Sequence, residues 1–142
     1  MKRLFGLFAI LTVALCCACS NQPQVITTMD KIADGEWQCF TKEFVLIAPK
    51  GAELTIAADT KYWLYVNGEL VVREGGLKRG PNPKDSYCDI IENLPTLKFG
   101  KNRVVVLVQY YGRNSFSHRP SAVAGLSFDL NTKLGRVVSD KS

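Results

Sequence analysis

Two apolar runs that alternate with other residues, KYWLYV at 61–66 and ELVVR at 69–73, are joined by the dipeptide Asn67-Gly68. A two-residue hairpin turn needs positive φ at both of its central positions, and Asn followed by Gly adopts that geometry readily. The segment therefore predicts a β-hairpin, and a chain that contains it must build at least one antiparallel sheet.

The first of these runs carries aromatic residues on both of its faces. Tyr62 shares a face with Leu64 and Val66, because side chains two residues apart point the same way in a strand, and we expect it in the core. Trp63 and Tyr65 lie on the other face. Either that face is also covered by protein, or it is a surface on which a flat ligand stacks, and the pattern alone leaves both interpretations open.

The rest of the chain has the same texture of short apolar runs separated by turn residues. Besides the hairpin, strands are predicted at Cys39–Ala48, Ala52–Asp59, Tyr87–Ile91, Arg103–Tyr111 and Val123–Leu130. The run at 103–111 is almost continuously apolar, so we expect a central strand covered on both faces. No long segment has a helical period, and this many short strands predicts an all-β sandwich.

The N-terminus has the pattern of an export signal. Lys2 and Arg3 precede an apolar stretch, and LCCACS at 15–20 resembles the end of a bacterial lipoprotein signal, with Cys19 as the lipid-modified residue. We therefore expect a signal peptide at 1–18, a flexible tether at 19–36, the sandwich at 37–131 and a polar tail at 132–142. The protein would then lie in the cell envelope, anchored to a bacterial membrane through its lipid.

Charge and cysteine content narrow the range of partners. The formal net charge is +5, and removal of Lys2 and Arg3 lowers it by two. So mild a charge, scattered along an exported chain, argues against nucleic acid. Outside the signal and Cys19, only Cys39 and Cys88 remain. In an oxidising compartment they either form a disulfide, worth about 4 kcal/mol for a loop of this length, or stay as two separate buried thiols.

Catalytic and metal-binding patterns are weak. The carboxylates do not fall in a recognisable glycosidase pattern, although such enzymes need a pair. His118 is the only histidine, so a histidine-rich metal site is excluded and no cofactor is indicated, while calcium could still bind to loop carboxylates. Ser115 lies near His118 but lacks the turn motif that presents a nucleophilic serine.

Aromatic and polar side chains in strands and loops suit a carbohydrate better. The C–H face of a sugar ring packs on Trp or Tyr, and its hydroxyls bind neighbouring polar groups. The candidate carbohydrate-binding residues are Trp63, Tyr65, Arg73, Tyr87, Asp89, Tyr110, Tyr111 and His118. In a sandwich, about half of these aromatics would instead belong to the core.

Three stretches together resemble a known domain: LTIAADTKYWLYVNGELV (54–71), YCDIIENLPTLKFGKNRVVVLVQYYG (87–112) and GLSFDL (125–130). They are similar to the N-terminal β-sandwich of bacterial α-L-rhamnosidases, a galactose-binding-like jelly roll. Asn67-Gly68, the Tyr87-x-Asp89 run and Tyr111-Gly112 match that family, whereas Cys88 stands where an aromatic residue is usual. The departures lie near the end at which a ligand would bind, so they leave its identity open.

The resemblance implies a non-catalytic module that associates with carbohydrate, for example a rhamnose-containing glycan. The family's catalytic residues lie in a helical barrel to which nothing in this sequence corresponds, so none is carried over. The alternative that the resemblance allows is a structural adaptor for a glycoside hydrolase partner, or a fragment of such an enzyme, with no sugar binding of its own.

Overall fold

The structure is a computed structural model, and it describes residues 22–28, 33–76, 88–115, 118–120 and 123–140. Eight strands lie in these ranges: β1 (Trp37–Leu46), β2 (Glu53–Asp59), β3 (Lys61–Val66), β4 (Glu69–Gly76), β5 (Asp89–Glu92), β6 (Gly100–Gln109), β7 (Gly125–Thr132) and β8 (Gly135–Val138). They form two antiparallel sheets, which we call the front sheet (β1-β6-β3-β4) and the back sheet (β5-β2-β7-β8). The described residues include no helix, and the predicted all-β class is confirmed.

The two sheets share one apolar core. Tyr62, Leu64 and Val66 are fully buried, as predicted, and they pack with side chains of β2, β6 and β7 in a single cluster. Leu54 and Ile56 point inward from β2, as their alternation predicts. Inward faces of both sheets thus meet in one layer, which is the arrangement of a β-sandwich.

Two contacts between the sheets show which edges face each other. Lys42 on β1 binds the Asp140 carboxylate, just after β8, at 2.7 Å. On the other side, the backbone N–H of Gly76 at the end of β4 donates to the Asp89 carboxylate of β5 at 2.8 Å. Strands β1 and β6 therefore lie across from β8 and β7, while β3 and β4 lie across from β2 and β5.

The sandwich has two distinct ends. At the upper end, β2 passes through Thr60 into β3, β6 finishes and β7 begins. At the lower end lie the β1–β2 connection, the β3–β4 turn, the start of β6 and the β7–β8 turn. This division decides which loops can form a common surface.

The β3–β4 hairpin turn is built as the sequence predicts. Asn67 has φ 51° and Gly68 has φ 90°. The Asn67 side chain also fixes the turn to β6, because its oxygen accepts from the Arg103 N–H at 3.0 Å and its amide donates to Asn102 at 2.9 Å. Asn at this position therefore serves both the turn and the sheet.

Two segments outside the expected sandwich are part of it. Strand β8 (135–138) pairs with β7, inside the stretch expected to be a polar tail. Residues 22–28, expected within the tether, lie along the same sheet: the N–H groups of Ile26 and Leu126 each donate to the other's carbonyl, at 2.8 and 2.9 Å. Both are short pairings that require a partner strand, so they leave only a weak pattern in the sequence.

Strand β6 is central, as predicted, but its two faces differ. Val104, Val106 and Val108 are buried in the core, whereas Val105 and Leu107 on the outer face are only half-buried. The expectation of full cover on both faces is therefore wrong. The neighbouring strands β1 and β3 partly cover these outer side chains.

Both expectations for the cysteines are also wrong. Cys39 and Cys88 are free thiols, and both are exposed. Cys39 lies on β1 at one edge of the sandwich, and Cys88 directly precedes β5 at the opposite edge. The topology keeps them too far apart for the Cα separation that a disulfide requires.

Candidate functional site

A polar pocket opens at the upper end of the front sheet. Its volume is about 460 Å³, within the range of small-molecule sites. It is lined by Asp34, Gly35, Gln109, Tyr111, Arg113 and Ser115. The lining thus combines one aromatic ring with a carboxylate, an amide, a guanidinium and a hydroxyl.

The pocket exists because two distant segments are joined at the end of β6. The Gly35 N–H donates to the Tyr110 carbonyl at 2.8 Å, and the Tyr110 N–H donates to the Glu36 carbonyl at 2.9 Å. Gly112 then turns the chain with φ 74°, and a side chain there would collide with the Asp34 carboxylate. Only glycine lets these two segments approach so closely.

A buried polar cluster fixes the loop that carries Arg113 and Ser115. Thr60, which is fully buried, donates its hydroxyl proton to Asp59 at 2.8 Å, and its oxygen lies 3.3 Å from Nε2 of His118. Because that proton goes to Asp59, the His118 ring is the donor in this contact. The Ser115 N–H donates in turn to the His118 carbonyl at 2.9 Å.

This cluster is structural rather than catalytic. His118 is 2% exposed and Thr60 is 0% exposed, so a substrate has no access to either side chain. The Thr60 oxygen also accepts from the Tyr111 N–H at 3.2 Å, and the Tyr111 ring meets the His118 ring edge-on with centroids 5.7 Å apart. The cluster therefore supports Tyr111 from beneath.

The two tyrosines at the end of β6 have different environments. Tyr110 is buried, and burial, reinforced by the charges of Asp59 and Asp34, raises the pKa of its hydroxyl. Tyr111 is half-buried and faces the pocket. Hydrogen bonding to Tyr111, followed by that to Glu74, raises the pKa of Lys61, so a lysine cation is held beside the Tyr111 ring.

Both tryptophans of the chain lie beside the pocket. Trp37 on β1 pairs with Gln109 on β6, and paired residues lie side by side on one face. Its indole is 53% exposed and packs against that of Trp63, with centroids 5.0 Å apart and planes tilted by 37°. Trp37 and Trp63, here called the tryptophan pair, thus adjoin the pocket through Gln109.

The structure brings together four of the eight residues predicted for a carbohydrate site. Tyr111 lines the pocket, Tyr110 and His118 lie beneath it, and Trp63 belongs to the tryptophan pair. The expectation that His118 offers its ring to a ligand is wrong, because the ring is buried against Thr60.

The other predicted residues lie elsewhere. Tyr65 is two residues beyond Trp63 on the outer face, and Arg73 is exposed on β4. Asp89 accepts hydrogen bonds from the Tyr62 hydroxyl at 2.7 Å and from Gly76, so it links the sheets and is not a hydroxyl partner of a ligand. Tyr87 and Cys19 lie outside the described residues.

Sequence reasoning missed Asp34, Trp37 and Arg113. The first precedes the predicted sandwich and the last lies in a loop without a motif. Trp37 did carry a signal, because it opens the strand-like part of the chain. Its pairing with Gln109, which places it beside the polar pocket, is a long-range contact.

A larger cleft of about 600 Å³ lies at the β1–β8 edge, but it is a weaker candidate. Its walls combine core side chains, including Phe40 and Phe128, with polar residues. Several of these polar side chains bind the protein itself: Thr27 and Thr28 both donate to Gln38, Ser139 donates to the Gln24 carbonyl, and Lys42 binds Asp140. Polar groups of this cleft are therefore already directed to partners in the fold.

Within the described ranges, no three His, Cys, Asp or Glu residues are grouped as a metal site would require. The same part of the chain contains no helix that is long and apolar enough to cross a membrane.

The fold defines a class, the two-sheet antiparallel β-sandwich, and solved structures of two kinds share this fold. The lectin from Pleurotus ostreatus in complex with GalNAc aligns with a TM-score of 0.52 and 17% identity, over 84% of this chain and 34% of the lectin. The apo form of that lectin gives a TM-score of 0.54 at 16% identity, over 86% of this chain and 34% of the lectin.

The second kind is an enzyme. The native α-L-rhamnosidase from Aspergillus terreus aligns with a TM-score of 0.57 and 18% identity, over 79% of this chain and 14% of the enzyme. The chain therefore spans about a third of the lectin and a seventh of the rhamnosidase. No protein-family model matches the sequence, and no curated protein matches it. These similarities show the fold, and they agree with the resemblance found in the sequence.

Proposed function

We propose that this protein is a non-catalytic carbohydrate-binding module. The observation that carries the proposal is the polar pocket beside the exposed tryptophan pair. A sugar ring can pack its C–H face on Trp37 or Tyr111, while its hydroxyls bind Asp34, Gln109 and Arg113. Apolar and directed polar contacts are thus available to one ring at one place.

Two further points support this function over catalysis. The pocket lining contains a single carboxylate, Asp34, whereas glycoside hydrolysis ordinarily uses two. Asp59, Thr60 and His118 are arranged like a catalytic triad, but all three residues are buried. The fold is also shared with a lectin crystallised with GalNAc and with a rhamnosidase. We also propose that the sandwich has the jelly-roll topology of the accessory domain of α-L-rhamnosidases. A rhamnose-containing glycan is therefore the first ligand to test.

Tryptophan fluorescence provides the test, because both tryptophans of the chain lie at the site. Titration with rhamnose-containing oligosaccharides and with GalNAc should change the emission of the purified protein. Trp37→Ala should weaken binding about tenfold, or 1.4 kcal/mol, through loss of one aromatic contact. Arg113→Ala should weaken it without removing a fluorophore.

Leu134→Ala is the matched control. Leu134 is 69% exposed and lies in the β7–β8 turn at the lower end, so its truncation should leave sugar binding unchanged. A protein whose emission and heat of mixing stay constant at millimolar concentrations of every sugar would contradict the proposal.

We also propose attachment to the bacterial envelope through a lipid on Cys19. The support is the signal-like sequence alone, with LCCACS at its end. Cells fed labelled palmitate should incorporate the label into the native chain and not into Cys19→Ala. Label on both proteins would place the lipid at another residue, and absence of label from both would exclude a lipid anchor.

An adaptor for a glycoside hydrolase is the second candidate. The observation in its favour is the outer face of the front sheet, where Trp63 and Tyr65 continue into half-buried Val105 and Leu107 and into Leu70, which is 48% exposed. A protein partner would cover such a face. Leu70→Asp should then abolish the association with a catalytic domain and leave sugar binding intact. Arg113→Ala should have the opposite effect, loss of sugar binding with the association retained, and the two variants together therefore separate the two functions.

A further inference from the structure

The four most exposed large apolar side chains of the described residues lie at the same end of the sandwich. They are Phe99 at 74%, Leu134 at 69%, Ile47 at 67% and Val45 at 65%. All four are at the lower end, opposite the polar pocket. Scattered single apolar residues on a surface need no explanation, but a concentration at one end does.

The topology places these four side chains in one half of the lower end. Leu46 pairs with Gly100, so Ile47 and Phe99 are next to each other where β1 ends and β6 begins. Leu134 lies in the β7–β8 turn, and β7 and β8 face β6 and β1 across the core. Loops from both sheets therefore contribute to one surface, here called the apolar tips (Val45, Ile47, Phe99 and Leu134).

Lysines accompany the apolar tips. Lys101 pairs with Val45, Lys98 precedes Phe99, Lys133 precedes Leu134, and Lys50 follows Ile47 in the β1–β2 connection. The ion pairs between described residues join other groups and use none of these four lysines.

Among the described residues, lysines outnumber acidic residues in this half. The acid at its border is Glu53, which pairs with Glu92 on β5 and with Asn131 on β7, whereas Glu69 begins β4 at the far edge of the front sheet. The acid closest along β1, Glu43, pairs with Arg103 one row further from the end. The surface around the apolar tips is therefore positively charged.

We propose that the apolar tips and their lysines dock on the surface of an anionic lipid bilayer. Apolar side chains that project between lysines can enter the headgroup region while the ammonium groups stay with lipid phosphates. Each lysine near such a surface adds attraction, and the attraction is limited to short range by salt. The four lysines thus require a partner surface with negative charge.

A protein partner fits this surface less well. Protein–protein interfaces are depleted in lysine and enriched in arginine and aromatic residues, whereas this surface has four lysines and one aromatic ring. The proposal is independent of the carbohydrate function, since it uses the opposite end of the molecule. If both hold, the polar pocket faces away from the membrane.

Depth-dependent fluorescence quenching tests the docking. Phe99→Trp places an indole at the proposed surface, while the two native tryptophans lie near the upper end. In full-length protein mixed with anionic vesicles whose acyl chains are brominated near the headgroup, the variant should lose roughly the emission of one indole of three, and the native protein almost none. The first 21 residues contain no tryptophan, so any insertion of that segment adds no signal.

Val123→Trp is the control, because Val123 is 53% exposed and precedes β7 at the upper end. It should stay unquenched. Adding Lys98→Glu and Lys101→Glu to Phe99→Trp should reduce the quenching by anionic vesicles at least threefold. Replacing the anionic vesicles by zwitterionic ones should reduce the quenching of Phe99→Trp by a similar factor. Quenching that is equal for the two tryptophan variants, or absent in Phe99→Trp, overturns the proposal. An emission shift of Phe99→Trp with poly-glutamate but not with vesicles would also overturn it and indicate an acidic protein instead.

Discussion

Replacing Tyr62 by phenylalanine should weaken the fold at one identifiable contact between the sheets. The Tyr62 side chain is 0% exposed, and its hydroxyl donates to Oδ2 of Asp89 at 2.7 Å. The same oxygen accepts from the Gly76 N–H, so β3, β4 and β5 meet there. A hydrogen bond to a charged acceptor contributes about 1.5–3 kcal/mol, and Tyr62→Phe should therefore lower the free energy of unfolding by about 2 kcal/mol. Urea denaturation at pH 8, followed by tryptophan fluorescence, measures the difference.

The pH dependence of this difference tests its cause. Burial first, and then the hydrogen bond to Asp89, raises the pKa of Tyr62 well above its usual value. An unfolded tyrosine loses its proton near pH 10, whereas the folded one keeps it. The stabilisation is thus complete below about pH 10 and falls above it by about 1.4 kcal/mol per pH unit. Tyr62→Phe lacks this loss, so a gap of about 2 kcal/mol at pH 8 should shrink to about 0.6 kcal/mol at pH 11.

Tyr65→Phe is the control on the same strand. Tyr65 lies on the outer face and is half-buried, so removal of its hydroxyl should change stability by less than about 0.5 kcal/mol. A gap between native protein and Tyr62→Phe that stays constant from pH 8 to 11 would refute the assignment of the raised pKa. Equal effects of the two substitutions would refute the role given to the hydrogen bond.

Two other substitutions have outcomes fixed by local geometry. Gly75→Ala would bring a methyl group to 2.6 Å from the Tyr62 hydroxyl oxygen and should lower the free energy of unfolding by about 1–3 kcal/mol, measured by urea denaturation. Gly135→Ala is its control, because the atom closest to the added methyl group, Oγ1 of Thr132, is 3.8 Å away, and its urea midpoint should be almost unchanged. Asp129→Asn should lower the melting temperature more at pH 7 than at pH 2, because the hydrogen bonds from Arg136 lower the pKa of Asp129 and the stabilisation they give is lost as the pH falls through that lowered value. Calorimetry at the two pH values checks this, and a constant difference in melting temperature would contradict it.

The fold was predictable where local chemistry and tertiary packing agree. Asn67-Gly68 satisfies the turn by itself, and the alternation around it places Tyr62 in the core whatever the partner strand is. Strand β8 was not predictable in this way. Its four residues contain only Val137 and Val138 as apolar side chains, and pairing with β7 decides their structure.

The polar pocket depends on contacts that local patterns do not carry. Asp34 and Arg113 are far apart in the sequence, and they line one pocket because Gly35 bonds to Tyr110 and Gly112 leaves room for the Asp34 carboxylate. A glycine in a loop indicates a special conformation but does not name the segment that approaches it. The aromatic content of the site was therefore partly predictable, and its polar content was not.

The two faces of β3 separate what a strand pattern can and cannot decide. Alternation assigns Tyr62 and Trp63 to opposite faces with certainty, because the period of a strand is two. It does not tell how much cover each face receives, which depends on neighbouring strands. On the outer face Trp63 packs against a second indole, Trp37, and that indole is itself half open to solvent. A core face would have buried both rings, so the exposed aromatic surface that remains is accessible to a sugar or to a protein partner, as the two proposed functions require.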